Sequence, residues 1–172
     1  MPLTSRKLTQ LLALLSTFLW AATNAVTAMA DLQKAGRILV DKSERTLVLF
    51  ADGRPIRSYP VSLGLNPVGH KRYEGDKRTP EGIYLIDGKN PNSAYHLSLH
   101  ISYPNERDVR AARERGWDPG GQIMIHGLPT GLIKASSKYE YDWTDGCIAV
   151  SNAAIEEIWQ LVDEGTLIEI TP

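Results

Sequence analysis

The sequence predicts a mainly β domain, a sandwich or barrel with two or three helices at its margin. Three features carry that expectation. From residue 37 to residue 171 the chain breaks into many short runs rich in β-branched and aromatic residues. Loops holding Gly and Pro punctuate these runs. Two segments, residues 105–116 and 153–163, read instead as helices.

Residues 1–30 stand apart from that pattern. Arg6 and Lys7 make a short basic start, an apolar run covers residues 8–22, and Ala28-Met29-Ala30 forms a small-residue A-x-A site before Asp31. This is the three-part pattern of a secretory signal, and its strong apolar stretch is short of the roughly 20 residues of a spanning helix. The expected division is a signal over residues 1–30, removed after export or else kept as an uncleaved anchor, a short leader over 31–36 and one domain over 37–171.

The elements follow in order. Residues 37–41 and 45–51 are short apolar strands, and Asp52-Gly53 is a hairpin turn signal after the second. Residues 55–64 give a third strand, followed by a basic Gly- and Pro-containing loop with Lys71, Arg72, Lys77 and Arg78. The charge of that loop predicts a solvated segment. Residues 82–87 form another strand. Residues 93–103 alternate, with Tyr95, Leu97, Leu99 and Ile101 on one face and His96, Ser98, His100 and Ser102 on the other. The polar, Arg-rich segment 105–116 is a surface helix stopped by glycine. Residues 122–126 and 147–150 are strands. Ile155, Ile158, Trp159 and Val162 share one face of a helix that Ser151 or Asn152 caps. Gly165 ends it and residues 166–171 close as a strand.

Composition excludes some classes. With 42% apolar and 23% charged residues the chain is neither disordered nor low in complexity. Without residues 1–30 it loses Arg6 and Lys7 and keeps 17 Lys and Arg against 20 Asp and Glu, a net charge of −3. That balance argues against a nucleic-acid partner, since phosphate binding needs a basic surface. No H-E-x-x-H or paired-cysteine metal pattern is present, and no G-x-S-x-G elbow. His96 and His100 stand four apart on one strand, about 13 Å, too far to share a metal ion. Neither a metal nor a cofactor is expected.

Cys147 is the single cysteine of the chain. In an exported protein an unpaired cysteine is either a reactive thiol or an inert core residue, and its neighbours decide between them. It follows the turn Thr144-Asp145-Gly146 and opens an apolar strand. His126 ends the strand Ile123-Met124-Ile125 and precedes Gly127. Both sit at the edge of a rigid element beside glycine, where a substrate backbone can approach. An imidazole can take the proton of a thiol whose ordinary pKa is about 8.5, leaving the thiolate nucleophile. Backbone N–H groups of the turn could then stabilise the oxyanion formed at an amide carbonyl.

These motifs resemble the YkuD-type L,D-transpeptidase catalytic domain, whose signature is a histidine, about 17 residues, and Ser or Thr followed by x-Gly-Cys. Here His126 is followed by residues 127–143 and Thr144-Asp145-Gly146-Cys147. Thr79-Pro80-Glu81-Gly82 after Tyr59-Pro60-Val61-Ser62-Leu63-Gly64 also matches. The resemblance implies the β-rich fold of that family, with Cys147 as nucleophile and His126 as proton acceptor and donor. It implies that the Gly127 carbonyl orients His126, and that Gly146 and Cys147 N–H groups form the oxyanion hole. Asp145 belongs to the same catalytic turn, and Thr144, Arg78 and Thr79 are candidate substrate-binding residues. The implied substrate is the stem peptide of peptidoglycan, with an outer-membrane lipoprotein as a further partner. The implied setting is a periplasmic monomer in cell-wall biogenesis and remodelling. Asp145 departs from the histidine of Ser-His-Gly-Cys, and Ala149 from the arginine of Gly-Cys-x-Arg. That arginine is expected to meet a substrate carboxylate, and the basic loop could replace it. Two other readings remain at this point: a hydrolase of the same bonds, and a wall-binding protein without catalysis.

Overall fold

The computed structural model describes residues 33–130 and 141–172. The signal sequence read at residues 1–30 lies outside the described residues. Strand β1 (Arg37–Asp41) and strand β2 (Thr46–Ala51) alternate buried and half-buried side chains, so that Ile38, Val40, Leu47 and Leu49 face the core. Asp52 and Gly53 join β2 to β3 (Arg54–Pro60), both with positive φ (50° and 74°), the two-residue turn whose twist matches a hairpin. The third strand is thus shorter than the run 55–64. Beyond Pro60 the chain leaves β2, and Ser62 and Gly64 bridge instead to Ala149 and Thr144.

Strand β4 (Gly82–Ser93) is twelve residues long and passes Asp87, the end read from the sequence. Its first part pairs with β8 (Leu167–Thr171) and its second with β5 (His96–Ile101), with register shifts after Ile86 and Asn90. Strand β6 (Met124–His126) pairs antiparallel with β5, and β7 (Ile148–Ala149) runs parallel to β6. The eight strands form one mixed sheet in the order β3-β2-β1-β8-β4-β5-β6-β7. The mainly β expectation therefore holds, with two helices among the described residues.

Helix α1 (Glu106–Arg113) starts at a capping box. The Asn105 side chain accepts from the Arg107 and Asp108 N–H groups, and Asp108 accepts in return from the Asn105 N–H. Asp108 is itself buried, and also accepts from Tyr84 Oη (3.0 Å) and pairs with His70 Nε2 (3.2 Å). Helix α2 (Asn152–Leu161) is capped by Ser151 and buries Ala154, Ile155, Ile158 and Leu161. Lys89 of β4 donates to the Trp159 and Val162 carbonyls at its C-terminal end. One continuous core joins Ile38 and Leu49 to Ile86, Leu99, Ile125, Ile148, Ile155 and Ile168.

Two sequence readings need correction. The alternation through residues 93–103 is interrupted. Ala94 and Tyr95 form the turn between β4 and β5, with Ser93 opposite His96, so Tyr95 does not share the strand face of Leu99. Ser98, read as polar-face, is buried. The basic loop is not uniformly solvated either. Lys71 is 3% exposed and donates to Asp76 Oδ1 (2.9 Å) and the Tyr73 carbonyl. Asp76 lies five residues on, close enough to make a local buried pair. Lys42, 2% exposed, donates to Glu81, to the Gly69 carbonyl and to the Thr79 carbonyl, tying this loop to the end of β1.

Candidate active site

The parallel pairing of β6 and β7 sets Ile125 beside Ile148 and His126 beside Ala149. The two motifs, 21 positions apart, therefore lie side by side at one end of the sheet. His126 and Cys147 open into one cleft of about 430 Å³, whose walls include Tyr95, Met124, Trp143 and Asp145.

His126 is 4% exposed. Its Nδ1 donates to the Gly127 carbonyl at 2.7 Å, which fixes the tautomer and leaves Nε2 unprotonated as the basic atom. Gly127 must be glycine, because a Cβ there would lie 2.7 Å from Asn152 Oδ1 and 3.0 Å from the Tyr95 carbonyl. The Tyr95 ring stands 4.6 Å from the imidazole and the Trp143 ring 5.7 Å, so two aromatic rings wall it in. Burial lowers the His126 pKa below its ordinary 6.5, against the Gly127 hydrogen bond.

Cys147 is half-buried, with Sγ 3.5 Å from the Gln122 carbonyl. Burial raises its pKa above 9.0; Asp145 adds to the rise, while the Met124 N–H and the charge of Lys71 oppose it. Both groups are thus neutral across the middle pH range: a thiol and an imidazole rather than a thiolate and an imidazolium.

The turn before Cys147 is stapled by Thr144. The Thr144 hydroxyl donates to the Cys147 carbonyl (2.7 Å) and accepts from the Gly146 N–H (3.1 Å). Thr144 lines the cleft, with its hydroxyl engaged inside the turn. The same bond engages the Gly146 N–H expected in the oxyanion hole. The Cys147 N–H has no hydrogen bond among the described residues. Gly146 has φ +131°, and a Cβ on it would lie 2.6 Å from the Arg78 carbonyl.

Arg78 thus supports the turn through its backbone, and its side chain is not among the cleft walls. Thr79 is fully buried and accepts from the Gly64 N–H (3.1 Å), so it cannot touch a substrate. Asp145 is at the cleft mouth, paired with Lys77 Nζ at 2.6 Å. His96 pairs with Glu156 and His100 with Asp87. Among the described residues no cluster of His, Cys, Asp or Glu could hold a metal ion. Sequence reasoning missed Tyr95 as a wall of the site, because strict alternation carried it onto a strand. The left-handed backbone at His96 (φ 68°), which places Tyr95 in a turn, has no residue signature.

Against known proteins, the model of the YkuD L,D-transpeptidase catalytic domain matches residues 35–170. The chain belongs to that family. It is 30% identical over 131 residues to YafK of Escherichia coli (strain K12), itself provisionally named an L,D-transpeptidase, covering 73% of this chain and 46% of that protein. The chain therefore spans about half the length of YafK. Among solved structures it resembles the helical cell shape determining protein Pgp2 of Campylobacter jejuni (TM-score 0.60, 27% identity, 82% of this chain and 51% of that one). It also resembles Bd1075 of Bdellovibrio bacteriovorus (TM-score 0.56, 28% identity, 81% and 51%). The L,D-transpeptidase of Xylanimonas cellulosilytica, at 19% identity, shares the fold (TM-score 0.52).

Proposed function

We propose that this protein is a cysteine L,D-transpeptidase that acts on peptidoglycan stem peptides in the periplasm, after export directed by residues 1–30. The carrying observation is that a buried imidazole with its Nδ1–H tied to a carbonyl shares a cleft with the chain's single thiol. His126 Nε2 takes the Cys147 proton as sulfur attacks the carbonyl of the third, diamino-acid residue. The Cys147 N–H, joined by the Gly146 N–H if the Thr144 bond opens, faces the oxyanion. The imidazolium then protonates the leaving amine of the D-alanine, and a thioester remains. An amine of another stem resolves it, or the lysine of an outer-membrane lipoprotein. Likeness to a cell-shape protein supports a role in wall remodelling.

The test is mass spectrometry of purified muropeptides incubated with residues 31–172 and with a Cys147→Ala variant. The reading expects cross-linked or amine-exchanged products from the parent and none from the variant. Shortened stems alone would replace transfer by hydrolysis, and products from the variant would end the thioester mechanism.

A further inference from the structure

We propose, on the transpeptidase reading, that the Lys77–Asp145 ion pair is the receptor for a free amino-acid head group on the substrate, Asp145 taking its ammonium and Lys77 its carboxylate. Asp145 walls the cleft that holds Cys147, and its side chain is 77% exposed against 42% for Lys77. A pair this exposed adds little to stability, so a ligand bearing both charges can exchange with it at little cost.

The two charges are carried on stiff backbone. Lys77 has φ 59°, a left-handed conformation that a residue with a Cβ adopts only when its surroundings enforce it. Its carbonyl accepts from the Asn66 N–H (3.0 Å) and lies against Gly64, where any side chain would overlap it. Gly64 bridges to Thr144, the residue before Asp145. Gly146, on the other side of Asp145, packs on the Arg78 carbonyl. Strained and glycine-dependent contacts thus set a cation one hydrogen bond from Asp145, the anion that walls the cleft. That spacing suits an ammonium and a carboxylate borne on one carbon. Nearby groups do not offer the same match: Lys71 is buried on Asp76, and Ala149 is buried and uncharged. The head group would also offset the Asp145 charge that works against the thiolate.

Calorimetry on the Cys147→Ala protein tests this without turnover. Three synthetic stem tetrapeptides serve as probes: one with a free head group on its third residue, one with that carboxylate amidated, and one with an alkyl chain alone. Amidation is expected to weaken binding about tenfold, roughly 1.4 kcal/mol, and to have no further effect once Lys77→Met is introduced. Asp145→Asn should weaken both ammonium-bearing stems by a similar factor and spare the alkyl stem. Equal losses for all three stems, no losses, or no binding by any stem would overturn the proposal. Selective binding by a protein whose parent form transforms no muropeptide would instead remove only the transpeptidase reading.

Discussion

His126 and Cys147 share a cleft in which burial pushes both toward neutrality, the imidazole down and the thiol up. A base with a lowered pKa stays unprotonated into more acid solution, and a thiol with a raised pKa stays protonated into more alkaline solution. Turnover should therefore hold a broad plateau, with its acid limb centred below pH 6.5 and its alkaline limb above pH 9.0. Alkylation of Cys147 by neutral iodoacetamide should climb throughout that span. A flat, fast rate near neutrality would reveal a preformed thiolate and contradict the geometry. Gly146→Ala meets both a left-handed φ and the Arg78 carbonyl, so thermal unfolding should show a loss of about 2 kcal/mol. At this scale the meeting of Cys147 and His126 in one cleft was legible, because each stands in a local motif. The state of the Gly146 N–H was not, because Thr144 engages it in a contact that spacing does not reveal.

Single elements depend on a few buried charges. Lys42 holds the loop that carries Lys77 and Thr79 through three acceptors. Lys42→Met leaves Glu81 without its partner and should cost about 3 kcal/mol by denaturant unfolding. Asp108 closes the capping box of α1 and receives Tyr84 and His70 as well. Burial works against its charge, but the His70, Asn105 and Tyr84 hydrogen bonds together hold its pKa below 3.8. The folded form then binds fewer protons than the unfolded chain as pH falls through that range. The contribution is complete above pH 3.8 and lost as pH drops through the lowered value. Asp108→Asn should flatten this part of the acid-unfolding curve. The helix itself was legible from Asn105 and Gly116. The burial of Asp108, Lys42 and Lys71 was not, since a charged side chain reads as exposed until its partner is known.

The whole sheet rests on pairings that sequence distance hides. The strand runs were readable from β-branched patterning, but β8 enters between β1 and β4, with Arg37 beside Leu167 and Gly82 opposite Ile170. No local signal gives that order, because register between distant segments is decided by the shared core. Contacts of such separation slow folding, and refolding from denaturant should fall in the millisecond-to-second range of non-local β topologies, measured by stopped-flow fluorescence. Before β8 docks, β1 and β4 each present a bare edge with a row of unsatisfied amides. The vacant slot is indifferent to which molecule fills it. At high protein concentration two refolding copies should trade their closing strands and form a swapped dimer that dissociates only by unfolding.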